Sequence, residues 1–127
     1  MIEKPKIFNL EKKINNKKGY LICLEDFLFN INFKRVFWIS GFKNVSELDE
    51  RGNHGHLEAN ELIIVLKGQC NFTIKNTEGA EYNFFINNDQ EALLLPKGHI
   101  LKMNQFNDDT LLLVICDINF KDDKIIY

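Results

Sequence analysis

Two histidines separated by a single residue form the pattern with the clearest chemical meaning in this sequence. His54 and His56 flank Gly55 and end the stretch Arg51-Gly-Asn-His-Gly-His56. On a β-strand, residues two positions apart point to the same face, so both imidazoles would face one side. Imidazole transfers protons near neutral pH and is also the commonest metal ligand. The pair therefore predicts a site for proton transfer or for metal binding.

A carboxylate further along the chain keeps the metal alternative open. Glu61 follows His56 by five residues and begins an apolar run. Two histidines and one carboxylate are able to hold non-haem iron with open coordination positions. One hypothesis is therefore a metal-dependent enzyme that uses His54, His56 and Glu61 as ligands; a solvated Glu61 is the other interpretation.

The segments that would position these side chains have the pattern of short β-strands. Apolar residues alternate with polar ones or form brief runs, and turn residues separate them. The predicted strands cover residues 19–25, 32–40, 61–66, 70–75, 82–86, 92–95 and 111–118, with turns at 76–79 and 87–90. We expect 41–51 to be a loop at the mouth of a barrel. About nine short strands with hardly any helical period predict an all-β barrel or sandwich.

The composition limits the functions that this chain could have. Its 127 residues predict a single domain, 1–127, and a hydrophobic content of 45% predicts a folded core. Sixteen basic and eighteen acidic residues give a net charge of −2, which argues against nucleic-acid binding. The longest apolar runs are about six residues, whereas a membrane helix needs about 20. The N-terminus lacks the core of a signal peptide, so we expect a cytoplasmic protein.

The three cysteines predict reduced thiols rather than disulfides. Cys23, Cys70 and Cys116 are far apart in sequence, and each lies in an apolar run that resembles a strand. An odd number with no pairing pattern is typical of buried, reduced thiols in a cytosolic protein.

The histidine pair belongs to a longer pattern that resembles the cupins. The first cupin motif has the spacing found at His54, His56, Glu61 and Gly68. The stretch Pro96-Lys-Gly98 resembles the second motif, but the position of its histidine ligand is Leu101. The resemblance implies an all-β, single-domain cupin barrel (an RmlC-like jelly roll) with an incomplete metal set. His99 lies two residues before the ligand position and could partly substitute for it.

Four segments together resemble one group of cupins, the nucleotide-sugar 3,4-ketoisomerases. They are Lys34-Arg-Val-Phe-Trp-Ile39, 51–56, 61–68 and 111–115, and their order and spacing are similar to those of the family. The resemblance implies an isomerase that moves the ketone of dTDP-4-keto-6-deoxyglucose from C4 to C3 in the biosynthesis of surface-polysaccharide sugars. It also implies that no metal or other cofactor is needed, and that the protein forms a homodimer.

The resemblance assigns roles to individual residues. His56 is expected to be the base, and His54 its partner or the proton donor on the oxygen side. Arg35 and Arg51 are expected to bind the anionic parts of the substrate, because guanidinium matches phosphate geometry.

Three further residues are expected to bind the substrate. Phe37 and Trp38 face opposite sides of their strand, so one of them, expected to be Phe37, would line the pocket. Lys18 stands where the family has an arginine and could hold a phosphate as a point charge. Glu61 replaces the family's glutamine and adds a negative charge near the histidines.

Several departures from the family pattern keep another function open. Ile100-Leu101 replaces a Trp-His pair, Phe37 replaces a tyrosine, and the tail Asp123-Lys-Ile-Ile-Tyr127 is shorter than usual. These changes fall around the expected site. A cupin that binds a sugar nucleotide without catalysis is therefore an alternative, besides the metal-dependent enzyme.

Overall fold

A computed structural model describes residues 2–25 and 31–127, and in them two antiparallel sheets form the body of the protein. The first sheet contains, in spatial order, β1 (Lys6–Asn9), β9 (Glu91–Leu95), β6 (Glu61–Lys67), β11 (Leu111–Cys116) and β4 (Arg35–Ile39). The second contains β12 (Ile125–Ile126), β5 (Arg51–His56), β10 (His99–Asn104), β7 (Cys70–Asn76) and β8 (Glu81–Ile86). A separate hairpin consists of β2 (Ile14–Asn16) and β3 (Gly19–Leu21), and Phe120–Asp122 form one 3-10 turn, η1.

The main hydrophobic core lies between the two sheets. Ile63 and Leu112 come from the first sheet, and Phe72 and Ile74 from the second, and all four are almost completely buried. A second cluster covers the other face of the first sheet through Leu62 and its neighbours. Because β6 is covered on both faces, it is a continuous apolar run rather than an alternating one.

The predicted all-β class is confirmed, and most strands lie where the pattern places them. The strand predicted over 19–25 is shorter, since only Gly19–Leu21 pair, and residues 26–30 lie outside the described part. The predicted strands do not include β1, β2, β10 or β12. Of these, β1 and β12 are short strands at the sheet edges, and each pairs with only one neighbour.

The cysteines differ from the prediction at one position. Cys70 and Cys116 are buried and reduced, as expected, but Cys23 is exposed. Cys23 follows the end of β3 and lies outside any sheet, so its apolar neighbours do not bury it. No helix in residues 2–25 or 31–127 has the length and apolarity to cross a membrane.

Candidate active site

A β-bulge in β5 sets the direction of the first histidine. Leu101 pairs with His54, but the next residue of β10, Lys102, pairs with Gly52, so Asn53 is an extra residue. Gly52 and Asn53 both have positive φ, at 100° and 61°. A Cβ on Gly52 would lie 2.6 Å from the carbonyl oxygen of Leu101, so the close approach of β5 to β10 requires glycine there.

The bulge also brings Arg51 to the face of the two histidines. Arg51 precedes His54 by three residues, a spacing that would place it on the opposite face of a regular strand. The extra residue shifts the alternation, and Arg51 pairs with Met103, which faces the barrel interior. Arg51, His54 and His56 therefore line one cavity.

This cavity opens between the sheets and has a volume of about 570 Å³, within the usual range for small-molecule sites. One part of its wall is polar and consists of Arg35, Arg51, His54, His56, Glu61 and Asp123. The other part is apolar and includes Phe37, Leu101 and Met103. The cavity thus offers acid–base groups and charges beside an apolar surface.

The ring of His56 is held between two carboxylates. Its Nδ1 lies 2.8 Å from Oδ2 of Asp123, and its Nε2 lies 3.3 Å from Oε1 of Glu61. The side chains are almost fully buried, at 12% exposure for His56, 5% for Glu61 and 4% for Asp123. Ionised carboxylates only accept hydrogen bonds, so Nδ1 donates to Asp123 when it carries a proton, and the contact of Nε2 with Glu61 is an ion pair when the ring is doubly protonated.

Two more side chains close these contacts into a ring. Nη2 of Arg35 donates to Oδ2 of Asp123 at 3.0 Å and to Sγ of Cys116 at 3.3 Å. The thiol of Cys116 in turn donates to Oε2 of Glu61 at 3.2 Å. We call this closed set the five-residue ring: Arg35, His56, Glu61, Cys116 and Asp123. With His56 doubly protonated, two positive and two negative charges balance within it.

The sheet register and the C-terminal segment bring the members of the five-residue ring together. Glu61, Cys116 and Arg35 are directly opposite one another on the adjacent strands β6, β11 and β4. Asp123 follows η1, and β12 then pairs with β5 so that Ile125 lies opposite His56. The last residues of the chain therefore carry the carboxylate of Asp123 onto Nδ1 of His56.

Three members of the five-residue ring have shifted pKa values: Arg35, Cys116 and Asp123. Burial alone would lower the pKa of Arg35, but its contacts with Cys116 and Asp123 outweigh it and raise that pKa. Burial alone would raise the pKa of Asp123, but hydrogen bonds from His56 and Arg35 outweigh it and lower the pKa below the ordinary 3.8. Burial, followed by the negative charge of Glu61, raises the pKa of Cys116 to about 12, despite the opposing hydrogen bond from Arg35. Cys116 is therefore a protonated thiol at neutral pH and has a hydrogen to donate.

His54 has a different environment. Its Nδ1 lies 3.2 Å from the carbonyl oxygen of Gly52, and its ring centre lies 5.7 Å from that of His56 at an interplanar angle of 74°. A carbonyl only accepts, so this contact is a hydrogen bond when Nδ1 carries the proton. In that neutral tautomer Nε2 has a free lone pair, as a general base requires.

The two arginines predicted to bind anions have different environments. Arg35 is enclosed by the rings of Phe37 and Phe120, at 5.5 and 5.6 Å, and its charge is already paired with Asp123. Arg51 is exposed at the cavity wall, and in the described residues its guanidinium has no ion pair. Of the two residues predicted to bind anions, Arg51 is thus the one with an uncommitted charge.

The remaining predicted binding residues are placed differently. Phe37 and Trp38 both border the cavity, but Phe37 is the half-buried residue of the two, whereas Trp38 is 68% exposed on the other face of β4. Lys18 lies in the turn between β2 and β3, exposed and outside the cavity lining. The described chain therefore does not bring Lys18 to the histidines.

The side chains do not support the metal alternative. Among the described residues, no group of three or more His, Cys, Asp or Glu is arranged to hold a metal ion. Glu61 instead contacts His56 and Cys116. His99 is buried, its Nδ1 contacts the carbonyl oxygen of Pro96 at 2.7 Å, and it is outside the cavity lining. It does not substitute for the ligand replaced by Leu101.

Sequence reasoning missed Asp123 and Cys116 as site residues. The tail containing Asp123 entered the prediction only as a difference from the family. Cys116 ends a predicted strand, but its position opposite Glu61 depends on strand register. The C-terminal tail, compared with that of the family, is a sequence signal that could have pointed to Asp123. We see no such signal for Cys116.

Two antiparallel sheets that enclose a cavity with a His-x-His pair define a cupin barrel of the RmlC-like class, as predicted. Residues 3–127 match the family described as "FdtA: WxcM-like, C-terminal", and the chain belongs to that family. A comparison with curated proteins found no match.

Solved structures of 3,4-ketoisomerases have the same fold. The WlaRB TDP-quinovose 3,4-ketoisomerase of Campylobacter jejuni is 25% identical, with a TM-score of 0.86 over 98% of this chain and 93% of that one. A 3,4-ketoisomerase of Helicobacter canadensis is also 25% identical, with a TM-score of 0.81 over 94% and 89%.

A third structure contains a ligand. It is a variant of the 3,4-ketoisomerase QdtA of Thermoanaerobacterium thermosaccharolyticum in complex with TDP-4-keto-6-deoxyglucose. It is 21% identical, with a TM-score of 0.85 over 99% of this chain and 88% of that one. Together the matches confirm the predicted family and the predicted class of enzyme, an isomerase.

Proposed function

We propose that this protein is a nucleotide-sugar 3,4-ketoisomerase, which converts a dTDP-4-keto-6-deoxyhexose to its 3-keto isomer in surface-polysaccharide biosynthesis. The observation that carries the proposal is the pair of differently held histidines in one cavity. His54 has a backbone acceptor at Nδ1, whereas His56 has a carboxylate at each nitrogen. The named activities of WlaRB and QdtA, and the sugar nucleotide bound to QdtA, support the substrate class.

The contacts favour His54 as the base, the reverse of the order expected from the resemblance. Nε2 of His54 removes the proton from C3, and the electron pair of that bond forms a C3–C4 double bond. The negative charge passes to the C4 oxygen, the hydroxyl proton moves from the C3 oxygen to the C4 oxygen, and His54 returns its proton to C4 as the 3-ketone forms. No electrons are gained or lost overall.

His56 is the electrostatic partner in this proposal. Held as an imidazolium by Glu61 and Asp123, it stabilises the charge that develops on the substrate oxygens. Its two carboxylates fix the ring before the substrate arrives, so the reaction does not require the ring to reorient. Arg35 acts through Asp123, because the two are paired at 3.0 Å.

An NMR time course in D₂O tests the proposed function. Chelator-treated protein is incubated with dTDP-4-keto-6-deoxyglucose, and the 3-keto product and deuterium at C3 and C4 are followed. We expect both product and exchange without added metal. Binding without product or exchange would instead favour the silent binding protein, an alternative that the apolar Leu101 opposite His54 keeps open. Turnover only after metal is restored would favour the metal-dependent enzyme.

Replacing Arg51 by alanine should weaken substrate binding, because Arg51 is the exposed cation at the cavity wall. Loss of a charge-assisted contact to the diphosphate should raise KM by about tenfold to a hundredfold, with kcat changed less. Lys102→Ala is the matched control, since Lys102 is a nearby cation paired with Glu50 and outside the cavity lining. Equal KM values in the two variants would remove Arg51 from the binding site.

The homodimer and the cytoplasmic location stay predictions. Val36 and Trp38, exposed on the edge strand β4, offer an apolar surface on which a second copy could pack. Sedimentation of the purified protein tests the dimer.

A further inference from the structure

We propose that Cys116 is a positioning residue, which acts on catalysis through Glu61 and His56. The inference rests on the proposed ketoisomerase function and deepens it. Cys116 does not line the cavity, so any effect of this residue on turnover passes through its neighbours.

The thiol connects two groups of opposite charge. Cys116 accepts a hydrogen bond from Nη2 of Arg35 at 3.3 Å and donates one to Oε2 of Glu61 at 3.2 Å. The residue is completely buried, and the carboxylate of Glu61 is only 5% exposed. Water does not readily replace the thiol at such a position, so its loss leaves an acceptor of Glu61 unsatisfied.

Two contacts hold the Glu61 carboxylate in one orientation. Oε2 accepts from Cys116, and Oε1 faces Nε2 of His56 at 3.3 Å. The terminal torsion of a glutamate is broad, so one contact alone leaves the carboxylate free to rotate. The bond from Cys116 therefore directs Oε1 at His56, which keeps the ring in place and its second proton engaged.

The register of the sheet explains why a cysteine can do this. Cys116 is directly opposite both Glu61 and Arg35, so its short side chain reaches both. A serine hydroxyl also donates and accepts, although its C–O bond is shorter than C–S. The variant Cys116→Ser should therefore keep the function of the bridge, whereas Cys116→Ala should abolish it.

Steady-state kinetics of three variants test the inference. We expect Cys116→Ala to lower kcat by about tenfold with KM within about twofold, and Cys116→Ser to stay within about threefold of the unmodified protein in both constants. Cys70→Ala is the matched control: Cys70 is equally buried, but its thiol donates to a backbone carbonyl and it is outside the cavity lining. The control should lose stability to a similar extent and keep its kcat.

Other outcomes would overturn the inference. A kcat for Cys116→Ala equal to that of Cys70→Ala would show that Cys116 matters only for packing. A Cys116→Ser variant as slow as Cys116→Ala would show that hydrogen bonding by the side chain is not the cause. Thermal unfolding of each variant separates a loss of folded protein from a loss of turnover.

A measurement without substrate keeps this test independent of the proposed function. Nitrogen-15 NMR of the His56 ring should show both N–H groups in the unmodified protein, in Cys116→Ser and in Cys70→Ala. In Cys116→Ala the Nε2–H signal should broaden or disappear, because Glu61 no longer holds it. If the unmodified protein turns over no sugar nucleotide, these spectra still decide whether Cys116 positions His56. An unchanged spectrum for Cys116→Ala would refute the inference.

Discussion

Replacing His54 by asparagine should lower kcat by about a thousandfold, while substrate affinity changes by less than about tenfold. A general base contributes about 10²- to 10⁴-fold to a rate, and it acts mainly in the transition state. Asparagine can still donate to the carbonyl of Gly52, so the local structure around the bulge is retained. The measurements are kcat, the Kd of the substrate, and the rate of deuterium incorporation at C3.

His56→Gln provides the comparison that decides between the two histidines. Glutamine cannot carry a positive charge, so kcat should fall, but His54 should still remove the C3 proton at a measurable rate. Exchange at C3 should therefore disappear in the His54 variant and persist, slowed, in the His56 variant. The reverse result would restore the order expected from the family resemblance, with His56 as the base.

Replacing Asp123 by asparagine should reduce both stability and turnover. Asp123 accepts from Arg35 and His56, and its side chain is 4% exposed. The neutral amide leaves two partly buried cations without their shared anion, a change that costs about 3 kcal/mol of unfolding free energy. Because His56 is no longer held at Nδ1, kcat should fall by about tenfold or more. Urea denaturation and steady-state kinetics measure the two effects.

The pH dependence of stability gives Asp123→Asn a second readout. The folded pKa of Asp123 lies below its ordinary 3.8, so its contribution to stability is present above that value and lost as pH falls through the folded pKa. The asparagine variant has no such group. The difference in unfolding free energy between the unmodified protein and Asp123→Asn should therefore shrink as pH falls below 3.8.

Asp122→Asn is the control for this experiment. Asp122 is the adjacent acidic residue, it lies in η1, and its side chain is exposed. Its replacement should leave stability and kcat near those of the unmodified protein. If the two variants have equal deficits at neutral pH, the contacts of Asp123 with Arg35 and His56 are not what stabilises the C-terminal segment.

The strand pattern and the placement of several single side chains could be predicted from the sequence. The alternation over 70–75 places Phe72 and Ile74 in the core, and the alternation in β4 leaves Phe37 half-buried and Trp38 exposed. The spacing of His54 and His56 places both on one face of β5. These predictions succeed because alternation along a strand is a local property, which neighbouring residues specify.

Local alternation also fails where the backbone departs from a regular strand. It would point Arg51 away from His54, yet the bulge at Asn53 turns Arg51 into the same cavity. The bulge depends on how β5 meets β10, where Gly52 approaches the carbonyl of Leu101. The backbone conformation at that contact is not visible in the pattern of apolar residues.

The amino-acid pattern predicts the all-β class and a common face for the two histidines, and the resemblance of four segments implies the family to which the chain belongs. The groups that surround His56 became evident only once the chain was folded. Asp123 is 67 residues away from His56 along the chain, and Glu61 meets Cys116 across a separation of 55 residues. Such contacts depend on strand register and on the path of the C-terminal segment, which the packing of the whole barrel sets. The sequence therefore identifies the two imidazoles, of His54 and His56. The long-range contacts distinguish His54, the proposed base, from His56, its charged partner.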